Sequence, residues 1–134
     1  METNNGKVHD AYRAIKDVLE GVKERTIPQL GKYRLAKLHR MLEPHYTAVE
    51  NLRAALIQEL GEERFFDDEK TQSKGWGIDE TGPGMKAYVE RWNDLRAFSV
   101  SLPGVSPIPL GALGDHENGL KLVELRLLDE FIDG

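Results

Sequence analysis

Two successive stretches of the chain place apolar residues at helical spacing. In the first, an apolar residue recurs every three or four positions across residues 8–25, which predicts an amphipathic helix. The same spacing predicts a second helix from about Lys32 to Leu60, after a short break at Pro28. Two striped helices joined by a short break are typical of an antiparallel helical hairpin, here about residues 8–61.

Pro44 and His45 lie inside the second apolar stripe. A proline in a helix interior removes a hydrogen bond, so the helix either kinks at Pro44 or divides there. The stripe keeps its phase across this position, which favours a kink. His45 occupies an apolar position between Leu42 and Val49. This position predicts a core or interface histidine that burial keeps uncharged at neutral pH.

The pattern changes after the hairpin. Residues 62–84 are polar and rich in glycine and acids, which predicts a connecting loop in which GWGID forms at most a very short strand. A third helix is predicted at about residues 83–97 and a last helix at about residues 118–132. The last helix has apolar residues around most of its circumference, so we expect a dimer or larger homo-oligomer.

Residues 98–114 have no charged side chain and read as an extended arm. Apolar residues and serines alternate at its start, which is typical of a half-buried strand. Pro103-Gly104 then fits the central pair of a type II turn. Pro107 and Pro109 remove two backbone donors from one side of the following segment. The arm is therefore predicted to pair on one side at most, with GWGID as its candidate partner.

Two roles are open for the arm. It is either a buried connector that covers the helices or a segment that docks on another subunit or partner. In the second case Val105, Ile108 and Leu110 would supply the apolar contact.

Composition sets the broad class. The 134 residues are enough for a single domain, 1–134, with its own core. There is no cysteine, which suits a reducing compartment. No apolar run approaches the roughly 20 residues of a membrane helix, and the polar start resembles no secretory signal, so we expect a cytoplasmic protein without membrane contact. The expected fold is mainly α with a minor β element: a helical hairpin, two further helices and a short extended arm.

The sequence offers no convincing catalytic or metal-binding set. His39 and His45 are six positions apart, so they lie on different sides of a helix, and no histidine pair has the i, i+4 spacing of a zinc site. No nucleophile–base pair or carboxylate pair is suggested. We therefore expect a protein that is not an enzyme and has no cofactor or metal.

Two features suggest binding. Lys32, Arg34, Lys37 and Arg40 make the first half of the second helix basic. They either hold phosphates or form salt bridges with the acidic residues of segment 62–69 or with another subunit. The net charge of −5 makes nucleic acid an improbable partner. Trp76, flanked by glycines, is either an exposed aromatic anchor or a cover over the end of the helical hairpin.

The order of elements resembles a family of short, uncharacterised helical proteins of tailed phages and prophages. Those proteins have a helix, a Leu-Pro type break, here Ile27-Pro28, and a Tyr-x-Leu-Ala-Lys helix, here beginning at Tyr33. A helix like YVERWNDL, a segment like VSPIPLGAL and a leucine-rich final helix follow. The similarity covers most of residues 8–132, and GWGIDETGPG departs from the pattern. It implies a phage-encoded helical protein and supplies no catalytic residues.

Two functional hypotheses follow. The first is a non-enzymatic phage or prophage protein that acts by protein–protein interaction, in virion assembly or against a host system. It would be oligomeric, bind a phage or host protein, and lie in the host cytoplasm or on the virion. The alternative is a small oligomer that holds a phosphorylated ligand through the basic helix. If the four basic residues converge in one cavity, the alternative gains.

Overall fold

The computed structural model describes residues 1–21, 25–67, 72–114 and 119–133, and it is mainly α with a minor β component, as predicted. Single-turn 3₁₀ helices occupy Leu110–Leu113 and Asp129–Phe131. The other elements, in chain order, are β1 Glu2–Asn4, α1 Asn5–Glu20, α2 Gln29–Leu60, β2 Glu62–Asp67, β3 Gln72–Gly77, α3 Pro83–Ala97, β4 Ser99–Ser101, β5 Ile108–Pro109, α4 Leu122–Leu127 and β6 Ile132–Asp133.

Helices α1 and α2 form the predicted antiparallel hairpin. Tyr12 of α1 stacks on His39 and Tyr46 of α2, whereas His9, earlier in α1, contacts Glu50, later in α2. The main core lies between the two helices, and buried residues from the connecting segments, β5 and the two 3₁₀ helices complete it. Its buried apolar members on α1 and α2 are Val8, Ala11, Ala14, Ile15, Val18, Leu35, Leu38 and Leu42.

The observed bounds of α1 differ in detail from the helix predicted from the sequence, and α2 is one continuous helix. Helix α1 begins at Asn5 because the Asn4 side chain caps it, accepting a hydrogen bond of 2.9 Å from the Lys7 amide. It ends at Glu20 rather than near residue 25. Helix α2 runs through Pro44 without dividing, so one helix spans the whole second stripe.

The β component is larger than predicted. Segment 62–84, predicted as a loop, contains β2 and β3, which pair antiparallel from Glu62↔Gly77 to Asp67↔Gln72. Neither strand has the apolar–polar alternation that marks a half-buried strand, which is why the pattern missed both.

The predicted pairing of the arm with GWGID is wrong. Strand β4 pairs antiparallel with β1, near the N-terminus, and β5 pairs parallel with β6, near the C-terminus. Pro109 is compatible with this pairing because β5 is paired on one side only, and Pro107 lies outside the strand. The Pro103-Gly104 turn is confirmed: Gly104 has φ +80°, and the Val105 amide donates to the Leu102 carbonyl at 3.3 Å.

The prediction of a long final helix is also wrong. Helix α4 covers only Leu122–Leu127, and the chain then turns and leaves as β6 to meet Ile108. The predicted start near residue 118 lies outside the described residues. Glu124 ties α4 to the rest of the fold, since both its oxygens accept from the Arg25 guanidinium, at 2.5 and 2.9 Å. No helix of the described ranges has the length and apolar character to cross a membrane.

Candidate functional site

A groove of about 290 Å³ runs between the first half of α2 and the arm after the type II turn. It joins residues from two separate sequence predictions, the basic helix and the extended arm. It is lined by Leu30, Tyr33, Arg34, Lys37, Leu38, Met41, Gly104, Val105, Ser106 and Ile108.

Helical periodicity and a close backbone contact build this groove. Leu30, Tyr33, Lys37 and Met41 are three or four positions apart, and Arg34 is four positions after Leu30, so all five share one face of α2. The far end of the arm is held close to the same helix at Gly31. A Cβ atom there would overlap the carbonyl oxygen of Ala112, so only glycine permits this approach.

The groove has a buried floor and an exposed apolar rim. Leu38 and Ile108 at the floor are 5% and 4% exposed and belong to the core. Leu30 and Tyr33 at the rim are 57% and 61% exposed. Two large apolar side chains therefore stand in solvent beside a concave surface, an arrangement that suits a partner's apolar side chain.

The electrostatic character of the groove is positive. Arg34 and Lys37 line it, and none of the described residues that line it is an aspartate or glutamate. Among the described residues, neither cation forms an ion pair, and the same holds for Lys32 and Arg40. The predicted salt bridges with segment 62–69 are thus not found where the structure describes that segment. An unpaired arginine and lysine in one groove attract an acidic ligand locally, although the protein as a whole has net charge −5.

Only part of the predicted basic site converges. Arg34 and Lys37 share the groove, but Lys32 and Arg40 are outside its lining. The convergence of all four residues, which would have favoured a phosphorylated ligand, is not observed.

The predicted partner-binding residues are in different situations. Ile108 is a core residue, so at this position the arm acts as the buried connector, the first of its two predicted roles. Val105 is half-buried and lines the groove, whereas Leu110 is half-buried outside it. Trp76 is 44% exposed on β3, opposite Glu63, and also outside the groove.

A second polar cluster, which the sequence pattern did not predict, lies where α1, α2 and α3 meet. His9 is 3% exposed, and its Nε2 lies 2.6 Å from Glu50 Oε1. The His9 ring stacks on Tyr46 and meets Trp92 edge-on, with ring centroids 4.9 and 5.5 Å apart. His9 and Tyr12 are three positions apart on α1, so both face α2; that spacing is the one sequence signal for the cluster.

Glu50 is held ionised in this cluster. Burial acts to raise its pKa, but hydrogen bonds from His9 and Arg53 outweigh burial and lower the pKa below its ordinary value. The His9 side chain is only 4% exposed, so the ring lies inside the fold and joins α1 to α2 and α3. His45, predicted as a core or interface histidine, is half-buried, which is not the full burial of a core residue.

The described residues contain no group of three histidine, aspartate or glutamate side chains arranged to hold a metal ion. In comparisons with known proteins, no protein-family model, no curated protein and no solved structure matches the chain.

Proposed function

We propose that this protein is a non-enzymatic interaction factor that binds an acidic segment of another protein in the groove between α2 and the arm. One observation carries this proposal. Two cations without an ion-pair partner among the described residues lie on the same face of α2 as two exposed apolar side chains.

The chemistry of the groove favours a peptide segment over a small phosphorylated ligand. A phosphate site needs several cations or amides that converge on one anion, and Arg34 and Lys37 are the only cations among the described residues that line the groove. Leu30 and Tyr33 offer apolar area that an isolated phosphate leaves uncovered. A segment with carboxylates beside an apolar side chain satisfies both halves of the groove.

The origin of the protein belongs to the same proposal. The resemblance to tailed-phage and prophage proteins supports a phage-encoded factor that works in virion assembly or against a host system, inside the bacterial cell. That the protein forms a homo-oligomer stays a prediction, because α4 is much shorter than the final helix on which the sequence analysis based it. The neighbouring genes test this part: structural or early phage genes on both sides support it, and a purely metabolic neighbourhood contradicts it.

A photo-crosslinking experiment tests the binding itself. A photoreactive phenylalanine analogue at position 33 stands at the exposed rim, so irradiation of cells that express the protein should link it covalently to the bound partner. The double variant Arg34→Glu, Lys37→Glu should lose this adduct, because carboxylates repel an acidic segment. Lys86→Glu, an exposed cation on α3 outside the groove, is the matched control and should retain it.

Two results would contradict the proposal. One is an adduct whose yield is unchanged in the double variant. The other is an adduct that the double variant and Lys86→Glu lose equally, since this would reflect the net charge of the protein and not the groove.

A further inference from the structure

Strand β4 has one paired edge and one free edge. Met1 and Leu102 exchange both backbone hydrogen bonds, at 3.1 and 2.8 Å, which makes them a hydrogen-bonded pair. Such pairs alternate along an antiparallel ladder, so the next one is Thr3 with Val100. The amides and carbonyls of Ser99 and Ser101 therefore point away from β1, and no described residue bonds them.

An apolar groove of about 490 Å³ lies along this strand, between it, α2 and the end of α3. Leu52, Leu95, Phe98 and Val100 supply its apolar lining, and His45 lies beside them. Phe98 is 70% exposed and Leu52 is 52% exposed. The same surface thus presents a projecting aromatic ring, a concave apolar strip and a row of unsatisfied backbone groups.

The charge pattern indicates what can cover this surface. The protein has net charge −5, so two copies repel one another on average. Where the structure describes the lining of the groove beside β4, however, it contains no aspartate, glutamate, lysine or arginine, although such residues make up 31% of the chain. Two copies can meet here without bringing like charges together, and each copy carries both the exposed ring and an apolar strip that can receive one.

We propose that a second copy of this chain docks on β4, with the two β4 strands antiparallel across a two-fold axis at Val100. In this register Ser99 lies opposite Ser101 of the second copy. Each such pair exchanges both backbone hydrogen bonds, since these are the residues whose amides and carbonyls point outward. The interface is isologous, so it closes as a dimer and leaves no open edge for a third copy on this side of the strand.

This surface is separate from the groove that holds the partner in the proposed function. Phe98, Ser99 and Val100 do not line the groove of Arg34 and Lys37. Loss of the dimer and loss of the partner adduct are therefore independent results.

Mass measurement in solution with single variants is the first test. We expect the wild-type protein, of 15.1 kDa per chain, to have twice that mass at micromolar concentration. Phe98→Asp should reduce it to the monomer, because two carboxylates would face the apolar strips. Ser99→Pro should do the same by removing an outward-pointing amide. Phe98 already has φ −63° and ψ 128°, a conformation that a following proline accepts.

Two controls define the specificity of this test. Ser99→Ala keeps the amide and should stay dimeric. Val123→Asp places the same charge on α4, at a residue that is 60% exposed away from β4, and should also stay dimeric. The proposal is overturned by a monomeric wild type, by folded Phe98→Asp and Ser99→Pro proteins that keep the dimer, or by dissociation in Val123→Asp instead.

Disulfide trapping decides the question even if a charge or proline variant does not fold. The chain has no cysteine, so Val100→Cys introduces a single thiol. At the proposed axis the two Val100 Cα atoms would be about 4.5 Å apart, within the range of a disulfide. Mild oxidation should link the two chains of Val100→Cys and leave Ser106→Cys, an exposed site on the arm, unlinked. Equal linking of the two variants, or none in Val100→Cys, would refute the two-fold pairing.

Discussion

The charged side chains in the two halves of α2 differ in whether they have partners within the fold. In the second half, Glu50 accepts hydrogen bonds from His9 and Arg53 at the junction of three helices. In the first half, Arg34 and Lys37 line an open groove and pair with no described residue. The comparison teaches that one helix can use its charges to join the fold at one end and leave them available for a ligand at the other.

The largest effect should separate the floor of the groove from its rim. Ile108→Ala removes a side chain that is 4% exposed and packed in the core. We expect the free energy of unfolding to fall by about 2–5 kcal/mol, from lost burial and a residual cavity. Leu30→Ala, at the 57% exposed rim, should change it by less than about 0.5 kcal/mol.

Urea unfolding monitored by circular dichroism measures both variants. Equal destabilisation would show that the rim is as much a part of the core as the floor, and the groove would then not be a binding surface.

A smaller loss of stability is expected at the helix junction. Glu50→Ala leaves His9 Nε2 without its partner, in a ring whose Nδ1 already has no hydrogen-bond partner. The buried donor or acceptor then costs about 1–3 kcal/mol of unfolding free energy. Lys37→Ala on the other half of the helix is the matched control, and its melting curve should overlay that of the wild type. Similar melting temperatures for the two variants would remove the distinction between the halves of α2.

Acid should weaken the junction before it affects the groove. The folded-state pKa of Glu50 lies below its ordinary value of 4.5, so its contribution to stability is complete above pH 4.5 and is lost as pH falls through the lowered pKa. Glu50→Gln removes that contribution, so stability should decline less steeply below pH 4.5 than in the wild type. Glu43→Gln, at an exposed position of the same helix, should decline like the wild type. Parallel pH profiles for the two variants would contradict this account.

The sequence predicts those parts of the fold whose causes are local. Apolar residues three and four positions apart are enough to locate the α1–α2 hairpin, and Pro103-Gly104 is enough to locate the type II turn. The pairing of β5 with β6 has no local cause. Ile108 meets Ile132 only because the chain turns back after α4. The leucine-rich pattern of segment 118–132 does not encode this turn, and it therefore predicts one continuous helix.

The candidate site shows the same limit. Arg34 and Lys37 stand out as charges in the sequence, and Val105 stands out in the uncharged arm. Their meeting in one groove depends on the approach of the arm to Gly31, which no spacing within either segment encodes. His9 was missed because a histidine beside an apolar stripe gives no sign of a glutamate 41 positions away.

The most direct test of the contrast between the halves of α2 measures two quantities on the same two variants. One is the yield of the position-33 crosslink, measured at a temperature where both variants are folded. The other is the melting temperature, and both quantities are determined for the double variant Arg34→Glu, Lys37→Glu and for Glu50→Ala. We predict that the first variant loses the adduct and melts like the wild type, whereas the second keeps the adduct and melts at a lower temperature. A charge-reversed groove that still forms the adduct, or a Glu50→Ala protein that is folded and fails to form it, would contradict the account.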